Sequence, residues 1–344
     1  MGKSCVIRNK LLIIVLVLFG RHNPVNKIIK KTAAMVIIAL AAIFVLMLLV
    51  APPVAVHLTT NGHVDYGVIE DHPLQKMYTS SDFVLTSNDM ILTTEDNYEV
   101  WASEVTVESP KAVIIYLSGI RQPSVTYFYG HAKWMKSEGY ASFLLEVRGH
   151  GNSSGDRVCL GYEEAADVKA VVDYIKQQER YKGVPIVIHG VSMGGAIAIN
   201  SFGQIDEITG LIAMSAYSSF EDVVVDTMKQ YNIPRFICDI EKPLVRLSLQ
   251  TVFGDKVNDI KPIKQVENIG ERPALFIASA NDTEVSYENM NRLLKAAPEQ
   301  CEGWLRESDL AGHFIILNHD IENVDLDTEY CEKVLSFLEN KVVH

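Results

Sequence analysis

The chain has 344 residues, 48% hydrophobic and 22% charged, with a net charge of −12. That is ordinary globular composition with ample material for a large core, and the absence of any repeat of roughly 20–50 residues excludes a solenoid or propeller. Seven of the 31 basic residues fall in the first 31 positions, which hold no Asp or Glu, leaving 24 basic against 43 acidic residues elsewhere; such an acidic body argues against nucleic acid as a partner.

The first element is an address. Leu11–Phe19 is apolar but too short to span a bilayer alone. Thr32–Val50 is a run of 19 residues without a charged side chain. As a helix it reaches about 28 Å, close to a bilayer core of about 30 Å. Lys27, Lys30 and Lys31 precede it, and Asp65, Glu70 and Asp71 are the first charges after it. The positive-inside rule then predicts a single-pass signal anchor with a cytoplasmic N-terminus (1–31), a span at 32–50 and the body on the outer face. The alternative is a cleaved signal peptide and a secreted body; Pro52 and Pro53, and the lack of a small-x-small site, favour the anchor. Residues 51–80 read as a polar linker, and 81–344 as the folded domain.

Strands and helices alternate through that domain. Met90–Thr94 and Tyr98–Val107 flank the turn-like Glu95-Asp96-Asn97. Ala112–Leu117 is a continuous apolar run, as expected of a strand buried on both faces. A helix over Tyr127–Ser137 and a strand over Tyr140–Glu146 follow. Tyr162–Arg180 reads as a helix with Ala165, Val168, Val172 and Ile175 on one face. Pro185–His189 is a strand, Met193–Phe202 a helix, and Leu211–Ser215, Ala274–Ser279 and Gly303–Glu307 further strands. A closing helix falls near Leu326–Leu338. The alternation predicts an α/β protein with a mostly parallel sheet covered on both sides, and places chemistry just after the strands.

Gly190-Val191-Ser192-Met193-Gly194 follows a strand and opens a helix. A serine hydroxyl needs a base and an exposed position to act as a nucleophile. A sharp strand-to-helix turn provides the position, and Gly190 and Gly194, two residues either side, relieve its crowding. With Arg148-Gly149-His150-Gly151 and Ser153, this pattern resembles the α/β-hydrolase superfamily over about Met90 to the C-terminus. The elbow sequence, with Ser-Ala-Tyr-Ser-Ser after the next strand, is similar to bacterial serine-aminopeptidase-like and monoglyceride-lipase-like hydrolases. The resemblance implies the α/β-hydrolase fold and a triad in the order Ser192, Asp282, His313. Asn281-Asp282 follows the strand after the variable insertion, and Gly312-His313 lies 31 residues beyond the acid. Glu284 and His319 are the nearest substitutes for the acid and the base. The resemblance also implies an oxyanion hole made by the backbone N–H groups of Met193 and Ile120. Ser118-Gly119 stands where relatives have His-Gly, and Glu146 where many have Asp. His150 and His189 read as structural, the latter as a hydrogen-bonded core histidine.

The stretch at about 216–270 is expected to be a helical cap. Phe220, Met228, Tyr231, Ile233, Phe236, Leu244, Leu247, Leu249 and Phe253 would supply its own core and an apolar lining. Cys159, Cys238, Cys301 and Cys331 could form two disulfides or stay free. No Cys or His cluster has metal-ligand spacing, so no metal or organic cofactor is implied. Three functions follow. The first is a membrane-anchored serine hydrolase cleaving a small or lipid-derived ester. The second is a peptidase or amidase acting on short extracellular peptides, with Glu221, Asp222 and Asp226 as candidate amine partners. The third is an inactive binding module, against which all three triad positions are filled.

Overall fold

The computed structural model describes residues 24–65, 73–120, 122 and 124–343. Leu11–Phe19 and Cys5 lie outside these residues. The chain divides into two units, 1–54 and 55–344. Helix α1 (Pro24–Thr60) contains the apolar run, and its stretch Lys27–Thr60 is long and apolar enough to cross a membrane. Ile37, Leu40 and Leu46 on it are exposed. The helix continues through Pro52 and Pro53 to Thr60, so the first ten positions read as linker are helical, despite the two hydrogen-bond donors the prolines lack.

The other described parts of that stretch belong to the body. Asn61 bridges to Arg157 and Val64 to His150. Leu74, in a short turn at Pro73–Gln75, is buried.

The second unit is built on one eight-stranded sheet. Its strands are β1 (Asn88–Thr93), β2 (Glu99–Val105), β3 (Val113–Leu117), β4 (Ala141–Leu145), β5 (Ile186–Val191), β6 (Gly210–Met214), β7 (Ala274–Ser279) and β8 (Glu302–Arg306). Their spatial order is β1-β2-β4-β3-β5-β6-β7-β8. The β1–β2 hairpin and the β2–β4 pair are antiparallel, and every pair from β4 to β8 is parallel. The strands β3 to β7 are buried at every position, because helices cover both faces. Alternate residues feed two cores: Ile115 and Leu117 enter one, Ile114 and Tyr116 the other.

Helices α2 (Tyr129–Ser137), α3 (Ala165–Gln177) and α4 (Met193–Phe202) carry the crossovers. Val168, Val171, Val172 and Ile175 are the buried apolar stripe of α3, the face its periodicity predicts. Between β6 and β7 come α5 (Phe220–Gln230), α6 (Arg235–Phe253) and the short α7 (Lys256–Asp259) and α8 (Pro262–Gln265), so the insertion is helical as expected. Helices α9 (Glu288–Ala296) and α10 (Thr328–Phe337) complete the fold. α9 has no counterpart in the sequence reading.

The four cysteines of the body, Cys159, Cys238, Cys301 and Cys331, are all free. Burial pushes the Cys301 thiol up to about 11 and the Cys331 thiol to about 12, so both are poor nucleophiles at neutral pH.

Candidate active site

Ser192 sits at the turn between β5 and α4 with φ 57° and ψ −120°, a region that non-glycine residues avoid. The strain is held by close packing around it. A Cβ on Gly190 would overlap the carbonyl oxygen of Gly194, and a Cβ on Gly194 would overlap that of Leu117. The two glycines therefore let β5, α4 and the end of β3 approach one another. The Ser192 N–H donates to the Met214 carbonyl at 2.8 Å, which ties the turn to β6. Met193 opens α4, so its N–H belongs to the first helical turn, whose donors have no partner within the helix.

Asp282 lies just past β7. Its Oδ1 accepts from the backbone N–H groups of Glu284 and Val285 at 2.8 and 2.9 Å. Its Oδ2 stands 2.8 Å from His313 Nδ1. The carboxylate is thus fixed by its own turn and fixes the imidazole in turn. Burial pulls the His313 pKa down, but the hydrogen bond and charge of Asp282, with Glu284, outweigh it and hold the ring above its ordinary value. His313 Nε2 is 3.9 Å from Glu284 Oε2.

Ser192, His313, Gly119, Ile120 and Glu284 face one cavity of about 250 Å³. The structure has no hydrogen bond closed between Ser192 Oγ and His313; the two residues meet across this space. A larger hollow of about 400 Å³ lies between Leu92–Glu95 and α3, but no histidine lines it, whereas the smaller one has both Ser192 and His313 on its wall. Gly119 is pinned by Gln122, whose Oε1 accepts from the Gly119 N–H at 2.6 Å and from the Tyr127 hydroxyl at 2.5 Å. A Cβ at Gly119 would stand 3.3 Å from Ser192 Cβ, so the loop lies directly against the serine.

Several braces of this site were not legible in the sequence. Arg306, buried at the end of β8, makes two 2.6 Å bonds to Asp327 and donates to the Ile315 carbonyl at 2.9 Å. Ser215 Oγ donates to the His313 carbonyl at 2.7 Å. Together they hold a loop in which Ile315, Asn318 and His319 all have positive φ. Leu74 and Gln75 line the cavity, which makes part of the supposed linker a wall of the site.

Other expectations change. No residue of the cap stretch 216–270 lines the cavity. Val245, Leu249 and Phe253 point into the core, while Phe236 and Leu247 face solvent. Glu221 is paired with Lys261 at 3.0 Å, Asp222 with Lys242 at 2.5 Å, and Asp226 with Arg292 and Lys229. These carboxylates are neutralised and absent from the cavity wall, so they do not offer an amine site; Glu284 is the acidic residue that does face the cavity.

The Arg148-Gly149-His150-Gly151 loop is a brace. The Arg148 guanidinium bonds Asp96 and Asp167 at 2.6–2.9 Å and lies over the Tyr98 ring. Glu146 accepts from Ser124 Oγ at 2.7 Å and from the Asn152 N–H at 2.6 Å. His150 is buried, which drives its pKa down to about 4. His189 is buried too, but its Nε2 has no hydrogen-bond partner; the ring is held by Tyr116, Phe128 and His131 instead. Among the described residues no group of three or more His, Cys, Asp or Glu could hold a metal ion.

Comparison with known proteins agrees with this architecture. A family model described as serine aminopeptidase S33 matches residues 108–237, which include Ser192 and stop short of Asp282 and His313. The Bacillus subtilis protein YqkD is 27% identical over 158 residues, 45% of this chain and half of the length of YqkD. A caffeoylshikimate esterase from Arabidopsis thaliana is 36% identical over 70 residues, 20% of this chain and 21% of that enzyme. Among solved structures, an esterase from Pyrococcus furiosus superposes with TM-score 0.57 at 22% identity, covering 77% of this chain and 95% of the esterase. An acylaminoacyl peptidase from Pyrococcus horikoshii gives TM-score 0.57 at 18% identity, over 78% of this chain and 44% of the peptidase. The mostly parallel sheet, the strand-turn-helix elbow and these matches show that the chain has the α/β-hydrolase fold.

Proposed function

We propose that the protein is a membrane-anchored serine hydrolase that cleaves a small carboxylic ester through an acyl-enzyme on Ser192. The observation that carries this reading is the 2.8 Å bond between Asp282 and His313 on the cavity that Ser192 faces from its strained turn. His313 Nε2 takes the proton from Ser192 Oγ as the oxygen attacks the ester carbonyl carbon. The N–H groups of Met193 and Ile120 receive the developing oxyanion. Collapse of the tetrahedral adduct breaks the bond to the leaving alcohol, which departs with the proton from His313. Water, deprotonated by the same ring, then releases the acid and restores Ser192. Asp282 orients the imidazole and stabilises its charged form.

The apolar helix over Lys27–Thr60 supports an anchor, and Lys27, Lys30 and Lys31, just ahead of its uncharged run Thr32–Val50, support a cytoplasmic N-terminus with the hydrolase unit on the outer face. Peptide or amide cleavage is the second reading. It is favoured by Glu284, a carboxylate on the cavity wall suited to a substrate amine. Fluorophosphonate labelling of the full chain, against Ser192→Ala, tests the nucleophile. A stoichiometric adduct on Ser192 that vanishes in the variant is the expected result. Absence of an adduct in folded protein overturns the reading in favour of a binding module. Parallel ester and peptide panels then separate the two chemistries.

A further inference from the structure

The cavity that Ser192 faces is small and carries a carboxylate that no base neutralises. Its volume is about 250 Å³, below the roughly 300–1,000 Å³ of pockets for drug-sized ligands. Among the described residues no Lys or Arg lines it, and Glu284 is its acidic wall residue. Glu221, Asp222 and Asp226 each have a Lys or Arg partner. Among the described residues Glu284 has no such partner, and its Oε2 stands 3.9 Å from His313 Nε2. Its side chain is 70% exposed, open to a ligand, while its backbone is fixed at the site because its N–H donates to Asp282 Oδ1 at 2.8 Å.

The place of this carboxylate selects one side of a substrate. In the sheet β5 lies between β3 and β7, so Ile120, past β3, and Glu284, past β7, reach the cavity from opposite sides of the strand that carries Ser192. Of the groups on the carbon that Ser192 attacks, the carbonyl oxygen turns to the N–H groups of Met193 and Ile120. The leaving oxygen must come within about 3 Å of His313 Nε2 to take its proton. Glu284 is in reach of that same nitrogen, which sets it beside the leaving group. We propose that Glu284 determines specificity by binding a cationic leaving group, so that the substrates are esters of short amino alcohols. The inference rests on the serine-hydrolase reading above and names its substrate class. An enzyme that frees N-terminal residues from peptides needs its carboxylate on the other side, because the free amine of such a substrate belongs to the acyl part.

Matched pairs of esters test this on the full chain in detergent at about pH 8.5, above the ordinary histidine range. Acetylcholine and its neutral isostere, with carbon in place of the nitrogen, carry or lack the charge on the leaving side. Betaine methyl ester and its carbon isostere carry or lack it on the acyl side. For each pair the ratio of kcat/KM, charged over neutral, is compared between wild type and Glu284→Gln, which cancels the intrinsic reactivity of the esters and any change in the base. The leaving-side ratio should fall about fivefold in the variant, the upper end for an exposed ion pair, with the acyl-side ratio unchanged and the fall shrinking in added salt. Glu284→Lys, a second variant, should lower it further. An unchanged leaving-side ratio, or a fall at least as large in the acyl-side pair, overturns the inference, while Ser192-dependent cleavage of the neutral esters leaves the hydrolase standing. Wild type that takes up fluorophosphonate on Ser192 but cleaves neither acetate also overturns it. Folded wild type that takes up none refutes the serine-hydrolase reading itself, and the inference falls with it.

Discussion

Replacing His189 with phenylalanine should flatten the acid side of the stability curve. His189 lies in β5 immediately before the elbow, fully buried against Tyr116, Phe128 and His131. Burial lowers its pKa from the ordinary 6.5 to about 3. In the unfolded chain the ring takes up a proton as pH falls through 6.5; in the folded chain it stays neutral until about 3. The unfolded state therefore binds more protons throughout that window, and stability present above pH 6.5 is lost as pH falls. The slope approaches 1.4 kcal/mol per pH unit for one group, so His189 alone removes about 2 kcal/mol between neutral pH and about pH 5. Phenylalanine keeps a ring of similar shape and cannot take the proton. Urea unfolding of the full chain in detergent, followed by intrinsic fluorescence at about pH 7.5 and about pH 5, reads the difference. Wild type should lose about 2 kcal/mol more than the variant between the two conditions. Equal losses would show that His189 is not held neutral by the fold, and the argument from burial would fail.

Three further outcomes follow from the site and its braces. Glu284→Gln removes one of the charges that raise the His313 pKa, so the acid limb of kcat/KM should move to lower pH, by an amount that shrinks with added salt; an unmoved limb would remove Glu284 from the electrostatics of the base. His63 has the opposite sign to His189. Its two ring nitrogens lie 2.7 and 2.9 Å from the carbonyls of Gly155 and Gly151, which only the protonated ring can satisfy, and despite partial burial these contacts raise its pKa. Its clasp is complete below the unfolded pKa and lost as pH rises through the folded one, so amide exchange at residues 61–65, corrected for intrinsic rate, should speed up over that rise in wild type and show no such step in His63→Gln. Asp327→Asn breaks a buried pair with Arg306 and should cost about 3–5 kcal/mol, with kcat falling before the fold is lost because Arg306 also holds the Ile315 carbonyl.

What could be read in the sequence was what chain neighbours decide. The elbow is legible because the crowding at Ser192 falls on residues two positions away, and Gly190 and Gly194 stand there. The strands β3, β5 and β7 are legible because burial on both faces leaves unbroken apolar runs. Asp282 and His313 are legible only through the resemblance, which implies an acid after the strand beyond the insertion and a base in a late Gly-His pair, and the structure brings the two together at 2.8 Å. The missed features depend on partners distant in the chain. Nothing near Glu221 announces Lys261, and nothing near Asp226 announces Arg292, so three paired carboxylates looked like an amine site. Leu74 and Gln75 sit in a stretch with linker composition and become site wall because they share a cavity with Gly119 and Ile120, past the end of β3, and with His313 and Phe314. Apolar content alone leaves the cap residues open between the cap's own core and a pocket lining, and it cannot tell an inward face of α6 from an outward one.

The site also shows where a parallel sheet needs help. The strands fix their own ends by ladder hydrogen bonds, but each group of the proposed site stands one to several residues past such an end. Ser192 is closest to its strand and is held by glycine packing and the tie to Met214. Asp282, three residues past β7, needs only its own turn. The Gly119 N–H, next to Ile120, bonds Gln122 Oε1. His313, seven residues past β8, is the farthest from a strand, and it draws on Asp282, Ser215 and the Arg306–Asp327 pair together. Backbone that leaves the ladder must find partners elsewhere, and a fixed geometry must be enforced by packed and bonded neighbours. Substitutions at Ser215, Arg306 and Asp327, which hold the His313 loop, should therefore reach activity from residues that never touch substrate.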